Sequence, residues 1–151
     1  KLIKGIFEGS TINTPSMICV EDVLDSLNWV ESIGGTDELK KISNKNLQIV
    51  TDWVNNSDWI EFMCSEPKIR SSTSITLQIK DEWFNKFSED EQKDLIKKIV
   101  SQLYEENVVH DINGYPKAPP SLRLWGGPTV NNDDMKMLLP WIDWAYKNVR
   151  N

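Results

Sequence analysis

The stretch Pro119-Pro120-Ser121-Leu122-Arg123-Leu124-Trp125-Gly126-Gly127-Pro128 decides how this chain is read. Prolines open it, glycines and another proline close it, and between them Leu122 and Leu124 flank Arg123. Apart from the arginine the run is apolar and strand-like. The arginine is the anomaly. A guanidinium keeps its charge in a protein, and burying it without an anionic partner is costly. Arg123 therefore either pairs with an internal carboxylate or faces a cleft that receives an anionic ligand.

Working outward, Asn132-Asp133-Asp134 opens a last helix with the stripe Met135, Leu138, Ile142, Ala145 and Val149, and Pro140 is expected to kink or restart it. Upstream, Asn107 to Ile112 reads as a strand and Asn113-Gly114 as a turn. Ser88-Glu89-Asp90-Glu91 is a capping box, followed by the apolar face Leu95, Ile96, Ile99, Val100 and Leu103. The alternation of Ile75, Leu77 and Ile79 with Thr76 and Gln78 gives a strand over 74–80, and a shorter one is expected over 59–63. Before these, Thr36 is expected to cap a helix with the stripe Leu39, Ile42, Ile49 and Trp53. A preceding helix is expected from the N-cap Thr14 and Pro15, carrying Met17, Val20, Leu24, Leu27 and Val30 and stopped by Gly34-Gly35. Residues 1–13 read as extended and irregular. The order helix, helix, strand, strand, helix, strand, strand, helix predicts an α+β two-layer sandwich, a small, mainly antiparallel sheet with helices on one face.

The 151 residues suffice for one domain with a real core, and 39% hydrophobic with 26% charged residues is a globular composition. A net charge of -6 with no basic stripe argues against nucleic-acid binding. No apolar run approaches a membrane span, and no signal peptide is visible. Cys19 and Cys64 read as buried thiols of a reducing cytoplasm, and most of the seven tryptophans as core or interface residues. His110, the single histidine, gives no zinc spacing and no plausible Ser-His-Asp centre. Lys1-Leu2-Ile3-Lys4-Gly5-Ile6 carries no initiator methionine and reads like the middle of a longer protein.

Three places offer chemistry. Asn13, Thr14 and Ser16 stand where a helix begins, and helix N-termini hold phosphate through free N–H groups and the positive dipole end; on spacing alone the pattern is that of an ordinary N-cap. Arg123 suits a bidentate carboxylate clamp, or an internal ion pair. Tyr115 and Lys117, on the Gly/Pro-rich loop before it, are placed to reach a second anionic group, or to be solvated. Arg70-Ser71-Ser72-Thr73 either forms a turn with an exposed arginine or lines the same cleft.

Long segments of the chain resemble a known family. They are Glu8-Gly9-Ser10-Thr11-Ile12-Asn13-Thr14-Pro15-Ser16-Met17-Ile18-Cys19-Val20-Glu21-Asp22, then Leu27-Asn28-Trp29 with Ser32-Ile33-Gly34-Gly35, Arg70-Ser71-Ser72-Thr73-Ser74, the run from Ala118 to Val130, and Leu139-Pro140-Trp141-Ile142-Asp143-Trp144-Ala145. Together they resemble the C-terminal part of phosphoserine aminotransferases, fold-type I pyridoxal-phosphate enzymes. The resemblance implies a transferase that moves an amino group from glutamate to 3-phosphohydroxypyruvate in serine biosynthesis, acting as a cytoplasmic homodimer. It implies that residues 1–16 are a remnant of the large domain and 17–151 the C-terminal small domain. Asn13 and Thr14 match the pair that holds the phosphate of pyridoxal 5'-phosphate in the neighbouring subunit, and Arg123 the arginine that binds the substrate α-carboxylate. The family presents basic residues to the substrate phosphate from the preceding loop. Here Pro116 stands at the nearest position with Lys117 beside it, so Lys117 is the candidate and a different amino-acid substrate stays open. The Schiff-base lysine belongs to the family's upstream domain and has no counterpart here, so no catalytic residue is assigned and the piece is expected to be inactive alone. A stand-alone module that binds a small anion or a partner is the alternative.

Overall fold

The structure, a computed structural model, describes residues 2–151. It divides into two compact units, Lys1–Leu39 and Lys40–Asn151. The first holds α1 (Leu2–Phe7), α2 (Met17–Ser32) and the start of α3 (Gly35–Asn55). The expectation of extended chain over 1–13 fails at α1. A six-residue helix is too short to show periodicity, and it is held by a Lys4–Glu8 pair at 3.5 Å and by closing bonds from Glu8 and Ser10 N–H to Gly5 O. Helix α2 starts two residues later than its sequence signal, with Ser16 and not Thr14 as N-cap. Gly34, at φ +113°, ends it in a left-handed conformation open to glycine. Helix α3 begins at Gly35, so Thr36 lies inside it and does not cap it.

The second unit carries the core. Strands β1 (Ile60–Phe62), β2 (Ser74–Ile79) and β3 (Leu122–Trp125) form one antiparallel sheet in the order β1-β2-β3. Ile75, Leu77 and Ile79 of β2 and Leu122 and Leu124 of β3 point to one face and are buried. Against them pack Ile49, Val50 and Val54 of α3, Ile96, Ile99 and Leu103 of α4 (Glu89–Glu105), and Met135, Leu139 and Ile142 of α5 (Asn132–Arg150). Each such side chain contributes roughly 1.5–3 kcal/mol through burial. This is the α+β sandwich expected from the element order.

Among the described residues three strands form, not four. The segment 107–112 leaves α4 through Asn107 at φ +59°, with Val108 N–H bonding back to Leu103 O. It buries Val109 and Ile112 but meets β3 only through Arg123 N–H to Ile112 O at 2.8 Å and one bridge, Asn113 to Leu122. Its apolar residues fill the core without a ladder. Pro140 does not break α5, which is continuous over 19 residues. The missing N–H and ring clash cost about 3 kcal/mol in an isolated helix, and the buried stripe Met135, Leu139, Ile142, Ala145 and Tyr146 outweighs that here.

The aromatic and cysteine expectations also change. Trp59 is the buried tryptophan, Trp53 and Trp83 pack on the core, and Trp29, Trp125, Trp141 and Trp144 are exposed. Cys19 is exposed because α2 has no buried residue, and Cys64 is half-buried with its thiol on Glu66 O. Among the described residues no helix is long and apolar enough to cross a membrane.

Candidate functional site

Strand alternation sets the direction of Arg123. With Leu122 and Leu124 each 1% exposed on the core side, Arg123 projects from the opposite face, directly across from Thr76 of β2. The strand is held on both edges, by β2 and by the Arg123 N–H bond to Ile112 O. Its end is fixed more firmly still. Buried Asn46 of α3 donates to Gly126 O at 3.1 Å and Val130 O at 2.9 Å, and accepts from Asn132 at 2.8 Å. Nothing in the residue pattern signals this role for Asn46, because an asparagine in a helix reads as polar surface.

The Arg123 side chain is 17% exposed and meets two side chains, Asp111 and Tyr115. Its Nη2 donates to Asp111 Oδ2 at 2.8 Å. The guanidinium carbon lies 4.8 Å from the Tyr115 ring centre, a cation–π contact. Its Nε is buried and has no hydrogen-bond partner among the described residues. The sequence offered an internal carboxylate or a ligand cleft as alternatives. The structure answers with a carboxylate, but Asp111 is 69% exposed and engages one nitrogen only. Asp111 was not singled out in the sequence, since it lies in a segment read as a plain strand.

Tyr115 reaches Arg123 itself and not a second anion. Lys117 lies in the same turn, closed by Ala118 N–H to Tyr115 O at 2.9 Å, and is exposed. The loop forms one wall of a cavity of about 390 Å³ whose other wall is α4 at Lys93, Ile96 and Lys97. Arg70 does not stand as a free turn residue. Its guanidinium lies 4.0 Å from the Phe62 ring centre and donates to the carbonyls of Cys64 and Ser65, closing the 64–70 loop.

In the first unit, Asn13 and Thr14 are exposed in the irregular segment before α2. The Ser16 side chain makes no capping bond, and the first turn of α2 carries no acidic residue. Elsewhere Asn131 caps α5 ahead of Asp133 and Asp134, and the Glu91 carboxylate accepts from the Ser88 N–H and hydroxyl. These two hydrogen bonds hold the Glu91 carboxyl below its ordinary range. Among the described residues no cluster of three or more His, Cys, Asp or Glu is placed to hold a metal.

With this geometry in place, the comparison with known proteins is specific. The phosphoserine aminotransferases of Methanosarcina mazei and Methanosarcina barkeri are each 43% identical to the chain over 150 residues, 99% of its length. This chain is homologous to the C-terminal part of phosphoserine aminotransferases. It spans 38% of the length of those two relatives. The fold agrees: phosphoserine aminotransferase from Bacillus circulans subsp. alkalophilus superimposes with a TM-score of 0.75 at 19% identity, over 95% of this chain and 36% of that one. A phosphoserine aminotransferase solved to follow radiation damage of its Schiff base gives 0.77 at 18% identity, over 98% and 38%. No family model matches the chain.

Proposed function

We propose that the chain supplies the small-domain half of a pyridoxal-phosphate-dependent phosphoserine aminotransferase, which converts glutamate and 3-phosphohydroxypyruvate to 2-oxoglutarate and phosphoserine. The observation that carries this reading is Arg123. Its charge is held on the face of the strand away from the core, Tyr115 lies over it, and its Nε is unpartnered. A guanidinium so placed takes a carboxylate through two parallel N–H bonds, which orients the α-carbon as well as binding it. Lys117, on the turn that carries Tyr115, is the candidate for the substrate phosphate, with the ammonium acting as a point charge. Residues 1–16 then belong with the large domain, residues 17–151 form the small one, and the whole works as a cytoplasmic homodimer.

The start of α2 fits a phosphate group. Its first-turn N–H groups have no side-chain cap and no acidic neighbour, and Asn13, Thr14 and Ser16 add side-chain donors beside them. Asn13 and Thr14 would hold the cofactor phosphate of the partner subunit. Pyridoxal phosphate, when bound, supplies the electron sink for the transfer. The lysine that carries it is expected from the large domain, and this chain's own work is to bind and orient substrate.

The test joins the chain to the large domain of a phosphoserine aminotransferase and measures glutamate-dependent amino transfer to 3-phosphohydroxypyruvate. Activity is expected, and Arg123→Lys should raise the KM for the keto acid more than tenfold, because one ammonium replaces a bidentate fork. Loss of transfer with every phosphorylated or simple keto acid would overturn the assignment. The chain without that domain should show no Schiff-base absorbance with the cofactor.

A further inference from the structure

The Asp111–Arg123 pair uses only half of one edge of the guanidinium. A carboxylate that binds an arginine side-on takes Nε and Nη2 together. Here Asp111 Oδ2 takes Nη2 at 2.8 Å, while Nε, on the same edge, is buried and bonded to nothing. A buried donor left unmade is unfavourable, and it is the kind of defect a second carboxylate would repair. The two partners also differ in freedom. Arg123 is 17% exposed and stacked on Tyr115, whereas Asp111 is 69% exposed, so Asp111 can withdraw into water at small cost.

We propose that Asp111 is a displaceable internal counter-ion of Arg123, occupying part of the position that the substrate carboxylate takes and so setting the affinity of the site. It rests on the reading of Arg123 as the carboxylate clamp. While the site is empty, Asp111 compensates the guanidinium on a half-buried face. When a carboxylate arrives it takes both Nη2 and Nε, and Asp111 swings out to solvent. The cost of removing Asp111 is subtracted from the affinity of every carboxylate. Such an arrangement favours ligands with a further anionic anchor over simple monocarboxylates, because they bring additional binding energy to the exchange.

The experiment titrates L-glutamate and acetate into the chain while following the Arg123 Nε–H resonance by NMR, the signal being assigned by its loss in Arg123→Lys. Asp111→Asn keeps a neutral acceptor, and Asp111→Ala removes it. Both should bind glutamate more tightly than wild type, by about threefold to tenfold, with alanine the larger. The Nε–H signal should move on binding in all three proteins. If neither variant tightens binding, or either weakens it, Asp111 is a positioning residue or a bystander and the displacement idea fails while the clamp stands. If the Nε–H signal of the wild type never moves and Arg123→Ala binds glutamate as well as wild type does, the clamp itself is wrong and both fall.

Discussion

Trp59 and Tyr146 lie face to face, 3.8 Å between ring centres and 4° between planes, and both are almost completely buried. The Tyr146 hydroxyl donates to Asp81, which Arg150 approaches at 3.3 Å. The stack joins the start of β1 to α5, and the hydrogen bond joins α5 to the end of β2. This bond lowers the Asp81 pKa, chiefly through the Tyr146 hydroxyl, while burial and then Asp81 raise that of Tyr146.

The linkage gives opposite signs at the two ends of the pH scale. Asp81, depressed from 3.8, adds stability above that pH and loses it as pH falls further. Tyr146, raised from 10.0, adds stability below that pH and loses it in stronger alkali. Tyr146→Phe should therefore cost about 1.5–3 kcal/mol at neutral pH, with a shallower loss of stability below pH 3.8 and no tyrosine-linked loss above pH 10.0. Urea melts across pH check both slopes. Equal pH dependence in the two proteins would remove the Tyr146–Asp81 bond from the stability of the fold.

Asp143 holds the neighbouring indoles. Trp59 Nε1 donates to one of its oxygens at 2.8 Å and Trp53 Nε1 to the other at 2.9 Å. Asp143→Ala should cost about 2–4 kcal/mol, since two N–H groups lose an ionised acceptor at once. A denaturant midpoint unchanged from wild type would show that water replaces the carboxylate.

Gly126 is required by space. A Cβ there would stand 2.8 Å from Ser72 O and 2.8 Å from Ile75 Cδ1, and the Gly126 N–H already bonds Thr73 O at 2.7 Å. Gly126→Ala must push β3 away from the Ser72–Ile75 segment. The expected loss is about 1–3 kcal/mol, accompanied by weaker carboxylate binding because Arg123 sits three residues earlier on that strand. Full stability with unchanged binding would contradict the close approach.

Helix α2 exposes Met17, Ile18, Val23, Leu24 and Leu27 and buries no residue. The chain alone is expected to self-associate through this apolar surface. Leu24→Glu with Leu27→Glu should reduce the mass seen by light scattering toward that of the monomer, without lowering the melting temperature. A monomeric wild type at high concentration would show that the surface stays solvated.

Much of this protein was legible in its residues because local physics wrote it there. The alternation of Ile75, Leu77 and Ile79 names a one-sided strand, Ser88 to Glu91 names a helix start, and the run from Pro119 to Pro128 names an apolar strand with one charge inside it. The long motifs around Asn13 and Arg123 carried the family resemblance, which relatives of 43% identity bear out. The misses came where distant partners decide. Val108, Val109 and Ile112 look like a strand, yet they fill the core without a ladder because Asn107 turns the chain left-handed. Pro140 looks like a break, yet burial of the α5 stripe outweighs it.

The charge on Arg123 and its place in a strand between two leucines were legible in the sequence alone. Its projection from the face opposite the core follows from period-two geometry only once Leu122 and Leu124 are seen to be buried. Which group meets that charge did not follow. Asp111 is twelve residues away in a segment that reads as a plain strand, and only the packing of Ile112 beside β3 brings its carboxylate to Nη2 while leaving the buried Nε without a partner. A hydrogen bond depends on tenths of an ångström between elements, and that distance is set by the tertiary structure.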